Sequence, residues 1–420
     1  LDDESGRLQI WVRKDVVGEE AYEKFKLIEV GDFCGVEGKM MRTKTGELTC
    51  EVTSLVLLSK SLRPLPEKWH GLTDPELRYR QRYVDLIMNR EVRDTFAARA
   101  RIIQTLRQQL IEEGFLEVET PVLQPIYGGA TARPFTTIHN ALGGAQLYLR
   151  IADELYLKRL MVGGYDKVFE IAKNFRNEGI DRTHNPEFTM MECYAAYWDY
   201  EDMMALVDRI FARIVAEVTE DGTIRYGEHT IDFSRGFRRA RFLDLLTEHT
   251  GVDYRPLSRD EVEAKAKELG VEVDATMGKG KLLDEIFSEK VEPHLIQPTF
   301  VCDHPVELSP LAKRHRDDSE LVERFEPFVA GFEVGNSFSE LNDPRDQRAR
   351  FEEQVRLREE GDEEAQQLDE DFLRALEYGM PPTGGLGIGI DRLVMLFTDQ
   401  NSIRDVLLFP QLRPETDASG

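Results

Sequence analysis

Residues 167–194 read KVFEIAKNFRNEGIDRTHNPEFTMMECY, two patterned runs joined by a polar loop. In the first run Phe169, Ile171 and Phe175 are apolar, while Glu170, Asn174 and Arg176 between them are polar. Successive side chains of a strand point to opposite faces, so this spacing predicts a strand with one face on a core and the other on a cleft. The return run, 187–194, puts Phe188, Met190, Glu192 and Tyr194 on a single face, and the loop holds Asn177, Glu178, Gly179, His184, Asn185 and Pro186. An arginine at a strand end clamps phosphate or carboxylate oxygens in a bidentate way. An aromatic ring across from it offers a platform for a flat base. A buried carboxylate such as Glu192 needs a cationic partner, because an unpaired buried charge is very costly. Taken alone, the stretch also fits a salt-bridged surface hairpin.

Two further segments change that balance. In residues 380–392, MPPTGGLGIGIDR, Gly385, Gly387 and Gly389 alternate with Leu386, Ile388 and Ile390. A strand weakened by three glycines on one face suits a place where a ligand approaches the backbone closely. Asp391 is expected to open a helix with Arg392 in its first turn. A cation there opposes the helix dipole, so Arg392 calls for another partner, such as a phosphate chain. No GK[ST] follows and no GxGxxG is present, which excludes the Walker A and dinucleotide loops. In residues 323–342, ERFEPFVAGFEVGNSFSELN, a turn at Ala330-Gly331 pairs two strands and places Glu326 and Glu333 on the same face. Two such carboxylates make a plausible Mg²⁺ site. Asn336, Phe338 and Glu340 fall on the other face of an unbroken strand, and join the same cleft only if the chain breaks near Gly335.

Around these segments the chain reads as α+β. Helices are predicted over 92–111, 153–161 and 200–218, the last behind an Asp199 N-cap, and a short strand over 116–118. Strands separated by helices without a βαβ rhythm favour an antiparallel sheet flanked by helices. Residues 240–295, charged and broken by glycines, read as a peripheral helical insertion. At the N-terminus, runs at 8–13, 33–42 and 47–58 with a helical stretch at 19–29 resemble the later part of a five-stranded oligonucleotide-binding (OB) barrel, its first strands expected to be missing. The predicted organisation is a partial OB-fold over 1–62, a Pro/Gly-rich linker at 63–75, a catalytic domain over 76–414 and a tail at 415–420.

The 420 residues carry 79 Asp+Glu against 54 Lys+Arg, a net charge of −25, which argues against a generic basic coat for DNA. No apolar stretch approaches the roughly 18 residues of a membrane span. Cys34, Cys50, Cys193 and Cys302 lie far apart without a CxxC pair, which favours a reducing cytoplasm over a disulfide framework.

Together, FRNEG, GLGIGIDR and the Pro-terminated helix–strand at 92–121 resemble the three motifs of class II aminoacyl-tRNA synthetases. RYRQRYVDL, GGATARPF, RIADELYLKRL, SPLAKRH and FSELND make the wording most similar to the bacterial lysyl type, across about residues 5–414. The resemblance implies activation of L-lysine by ATP to lysyl-adenylate and pyrophosphate, then transfer to the 3′ end of tRNA(Lys). It implies Arg176 between the ATP α-phosphate and the amino-acid carboxylate, with Arg392 beside the γ-phosphate near Gly389. Glu178 and Phe188 would hold adenine, with His184 and Asn185 near the phosphates and Glu326 and Glu333 on Mg²⁺. Gly129 and Glu154 resemble α-amino contacts and Asn336 a carboxylate contact. Glu192, Tyr194 and Glu340 resemble the ε-amino pocket, with Phe338 along the aliphatic stem. It also implies a homodimer built through the motif 1 region. Phe332, Ser337, Cys193 and Trp198 depart from the usual wording, and Ser337 is placed to tighten the pocket. The rivals are a paralogue that attaches lysine to a protein, an aspartyl or asparaginyl enzyme of the same architecture, and a degenerate binding protein.

Overall fold

A computed structural model describes residues 1–66, 72–274, 277–359 and 366–414. Part of the expected linker (67–71) and all of the tail at 415–420 lie outside the described residues. The chain divides into two compact units, Leu1–Arg90 and Glu91–Gly420.

In the first unit, strands β1 (Gln9–Val12), β2 (Phe33–Arg42) and β3 (Leu48–Ser59) form one sheet with helix α1 (Glu19–Phe25) between the first two in sequence. β3 is central, antiparallel to β2 and parallel to β1. Thr43–Glu47 closes the β2–β3 turn, with Gly46 at φ +88° where a side chain would be strained. The helix stops at Phe25 rather than Glu29. There Asp32 takes the Glu29 N–H at 2.8 Å and the Lys60 ammonium at 2.9 Å, fixing a non-helical turn.

The second unit begins with helix α2 (Arg90–Glu112), whose Ile102, Leu106 and Leu110 are buried in the main core. Strand β4 (Leu116–Glu117) and helix α3 (Glu154–Val162) precede the hairpin of β5 (Lys167–Phe175) and β6 (Glu187–Ala196). Helix α4 (Tyr200–Val218) starts where predicted, and a reciprocal Asp199–Asp202 capping box satisfies its first N–H groups. Next come β7 (Arg238–Arg241), helices α5 (Phe242–Thr250), α6 (Arg259–Glu268) and α7 (Lys279–Lys290), and β8 (Thr299–Cys302). The site strands follow as β9 (Arg324–Val329), β10 (Phe332–Glu333), β11 (Gly335–Ser339) and β12 (Thr383–Gly389), with helix α8 (Ile390–Phe397) last.

The sheet runs β7-β8-β9-β11-β12-β6-β5-β4, with β10 also paired to β9. It is antiparallel through its centre, as expected, but parallel at both edges, where β7 lies along β8 and β4 along β5. The fold is therefore mixed α+β. Residues 240–295 are less peripheral than their charge suggests. Phe242, Leu246, Leu282 and Phe287 form a core of their own that closes on Val301 and Phe328 of the sheet.

The sequence leaves open whether the chain breaks near Gly335, and the structure answers with a shift of register. Phe328 pairs with Glu333, whereas Arg324 pairs with Phe338 and Phe325 with Ser337, so pairing slips by one residue at Val334. A one-residue slip exchanges the two faces of a strand. Asn336 and Phe338 thus share the side of Glu326 and Glu333.

Leu106 has no exposed surface and contacts nothing in the cleft. Leu106→Ala is expected to cost about 2–5 kcal/mol, read as a lowered melting temperature with substrate KM values unchanged.

Candidate active site

β12 lies between β6 and β11, and its glycines set the geometry. Across the sheet, Glu192 sits beside Gly387 and then Asn336, and Tyr194 beside Gly385 and then Phe338. Each row is side chain, gap, side chain, which leaves a trough over the glycines. The trough opens into a cavity of about 350 Å³ that all sixteen residues named by the resemblance line. The glycines do more than admit a ligand to the backbone. A Cβ on Gly385 would overlap the Glu340 carboxylate and stand 2.6 Å from Tyr194 Cε1, and one on Gly387 would collide with Met190 Cε.

One end of the cavity is cationic. Arg176 follows the last residue of β5, where its N–H extends the ladder to Pro186 O at 2.9 Å. Its guanidinium lies 5.0 Å from the Phe188 ring centroid. Burial works against the Arg176 charge, and Glu178 and Glu333 support it. Arg392, in the first turn of α8, donates to Glu333 O at 2.9 Å and to His184 Nε2 at 3.0 Å. His184 Nε2 is thereby an acceptor, so its proton sits on Nδ1, which donates to Asp181 at 2.8 Å. Asn185 donates to Glu187 O at 2.6 Å, while its buried Oδ1 has no partner. Asp391 is buried, accepts from Thr189 N–H at 2.7 Å and pairs with Arg99 at 2.6 Å, locking α8 to β6 and α2.

Two carboxylates face that end. Against the upward push of burial, Arg324 and His304 hold Glu326 down at about 2. Burial and the charge of Glu326 push Glu333 up to about 7. Nearby Glu292 is likewise pushed to about 7 by burial and by these two neighbours. The surplus of negative charge fits a cation. No group of three or more His, Cys, Asp or Glu able to hold a metal occurs among the described residues. Glu326 and Glu333 therefore supply part of a coordination shell at most.

The other end is a buried acidic pocket. Glu192 accepts from Asp153 N–H at 3.1 Å and from the Tyr194 hydroxyl at 3.0 Å. Burial and the charge of Glu154 push Glu192 up to about 7. Burial raises Glu340 well above the usual carboxylate range. Glu154 heads α3, close to Gly129, whose φ of +89° and N–H contact to Gln366 at 3.4 Å shape the rim.

Some expectations need correcting. Glu170 and Asn174 share the face of Glu192 and Phe188 but do not reach the cleft. Arg150 and Thr120 roof that part of β5, binding Glu170 at 2.8 and 2.6 Å. Ser337 does not tighten the pocket: it is fully buried and donates to Gly385 O at 2.6 Å, between β11 and β12. Phe332 packs on Tyr226, ring centroids 5.7 Å apart.

Sequence reasoning also missed a linchpin. Arg324 donates to Asn336 Oδ1 at 2.9 Å, Glu326 at 2.5 Å, Ser309 Oγ at 2.8 Å and Leu308 O at 2.9 Å. Its position two residues before Glu326 on β9, hence on the same face, was the available signal.

A central antiparallel sheet with one arginine after the strand of an FRNEG hairpin and a second at the start of the helix after a glycine strand is the architecture of a class II aminoacyl-tRNA synthetase. Residues 74–413 match the family of tRNA synthetases class II (D, K and N), and the chain belongs to it. Residues 1–58 match the OB-fold nucleic acid binding domain. The chain is 58% identical to a lysine–tRNA ligase of Roseiflexus castenholzii over 416 residues, 99% of this chain and 85% of that protein. It is 56% identical to those of Carboxydothermus hydrogenoformans, with the same coverage, and Oceanobacillus iheyensis, over 98% of this chain and 84% of the relative.

Gly385→Ala must displace Glu340 or Tyr194. The expected result is a rise in amino-acid KM of about tenfold or more with ATP KM nearly unchanged, measured by pyrophosphate exchange.

Proposed function

We propose that this chain is a lysine–tRNA ligase that activates L-lysine with ATP to lysyl-adenylate, releasing pyrophosphate, and then transfers lysine to the 3′ end of tRNA(Lys). The observation that carries the reading is the pocket of Glu154, Glu192 and Glu340 at the end of a cleft whose other end holds Arg176 and Arg392. Three carboxylates attract a cationic side chain and repel aspartate. Asparagine brings no side-chain cation and would leave the surplus of acidic groups unmet, a penalty of several kcal/mol in a buried site.

Arg176 lies where it can hold the substrate carboxylate and the α-phosphate together, so that a carboxylate oxygen attacks phosphorus in line. The step needs positioning and charge neutralisation more than a proton acceptor. Arg392 neutralises charge farther along the phosphates, and His184, fixed as an acceptor toward Arg392, orients that guanidinium. Phe188 offers its ring to adenine, with Glu178 and Asn185 at the nucleotide edge and the bare backbone of Gly389 giving clearance. Glu326 and Glu333 suit Mg²⁺, whose contribution when bound is to neutralise phosphate charge, the nucleotide and water completing its shell. Gly129 and Glu154 take the α-amino group, Asn336 the carboxylate, Phe338 the aliphatic stem, and Glu192, Tyr194 and Glu340 the ε-ammonium.

The OB-fold match over residues 1–58 supports tRNA as the acceptor rather than a protein. The homodimer through the motif 1 region and the cytoplasmic setting rest on the family alone. No helix among the described residues is long and apolar enough to cross a membrane.

Pyrophosphate exchange against all twenty amino acids is the test, followed by charging of tRNA(Lys). Lysine alone is expected to support exchange, and exchange with another amino acid or none sinks the reading. Arg176→Ala is expected to lower kcat/KM by about 10²–10³. Glu192 titrates near 7 and binds an ammonium only when ionised. The affinity for lysine is therefore expected to fall as pH drops from 8 to 6, by about tenfold per unit below the midpoint. Calorimetry over that range checks this.

A further inference from the structure

The acidic pocket contains a cation of its own. Lys158, one turn along α3 from Glu154, is completely buried. Its ammonium pairs with both Glu154 and Glu340, and lies 5.4 Å from the centroid of the Phe338 ring. It does not line the cavity, whereas all three of its neighbours do.

We infer that Lys158 is a positioning and specificity-determining residue, a fixed internal counter-ion that sets the pocket's charge to match a substrate with two ammonium groups. The inference rests on the lysine reading above and deepens it. Lys158 pairs with Glu154 and Glu340, and Glu192 stands beside them; one resident cation against three carboxylates leaves room for two more positive charges once a ligand draws all three into the ionised form. That is what the α- and side-chain ammonium groups of a diamino acid bring, once Arg176 has met the carboxylate. Without Lys158 the third carboxylate stands uncompensated in a dry site and must take up a proton.

The same ammonium joins two parts of the fold. Glu154 belongs to the N-terminal turn of α3, and Glu340 follows β11, held by its N–H on Thr383 O at 2.8 Å. Lys158 thereby spaces the α-amino contact from the side-chain contact, a distance that selects chain length. A compact ammonium with rotatable donors suits the task better than a planar guanidinium. The other charged and titratable groups facing these carboxylates are Asp153 behind Glu192, Tyr194 on β6, Arg176 and Arg324. Burial and the Glu192 charge push Asp153 well up. Arg176 and Arg324 are engaged toward the other end of the cleft.

The test is Lys158→Met in the full chain, by lysine-dependent pyrophosphate exchange between pH 6 and 9. If the unaltered chain shows no exchange with lysine, the functional reading fails and not this one. With the unaltered chain active, the variant is expected to raise lysine KM about tenfold or more while ATP KM stays within about twofold. The acid limb of kcat/KM for lysine is expected to move up by about one pH unit, because the remaining carboxylates lose their cation. An unmoved limb, whether or not KM rises, marks a merely structural lysine and overturns the inference. Should the variant not fold, Lys158→Gln keeps hydrogen-bond donors for both carboxylates without the charge. The same upward move of its limb is expected. A limb unmoved in Lys158→Gln overturns the inference as well.

Discussion

Everything in the cleft depends on a single slipped residue. Between Phe332–Glu333 and Gly335–Ser339 the pairing with the neighbouring strand shifts by one at Val334. In an unbroken strand the alternation of side chains would send Glu333 to one face of the sheet and Asn336, Phe338 and Glu340 to the other. The slip gathers them on one side. It lets a seventeen-residue stretch, 324–340, furnish three carboxylates, an amide and an aromatic ring to one cavity. Gly335 fits the same constraint: a Cβ there would come within 2.6 Å of Gly387 O.

Electrostatics supplies the second organising fact. The cleft gathers like charges that burial makes more costly: Glu326, Glu333 and Glu292 at one end, and Glu154, Glu192 and Glu340 at the other. Arginines and one lysine offset part of that charge, and burial beside like charges pushes several of the carboxylates toward their neutral form. The overall charge of −25 says little about this, because the chemistry turns on a few buried groups whose neighbours are fixed.

The sequence made the central elements legible because their signals are local. Helix α4 began at the Asp199 cap and ran as its apolar spacing requires, and the hairpin of β5 and β6 followed its alternation. The glycine strand was legible as a strand, yet the side chains that fill its empty face, Met190, Tyr194 and Glu340, come from elsewhere in the chain. Pairings of this kind have no sequence signature. Lys158 looks like an ordinary surface cation until Glu340 is in place, whereas Arg324, two residues before Glu326, carried a local signal of its face but none of its link to Ser309. Glu170 and Asn174 were assigned the correct face but the wrong surroundings, since alternation says nothing of what covers a strand.

Arg324 binds Glu326 with one nitrogen and Asn336 with another, and its remaining donors hold the Leu308–Ser309 loop. One rigid, planar group thus ties the Glu326 carboxylate to the Asn336 amide, two side chains that line the same cleft. Neither side chain can move without pulling on the guanidinium that fixes the other. Any two ligands that touched these residues would alter each other's affinity, and by the same factor in both directions.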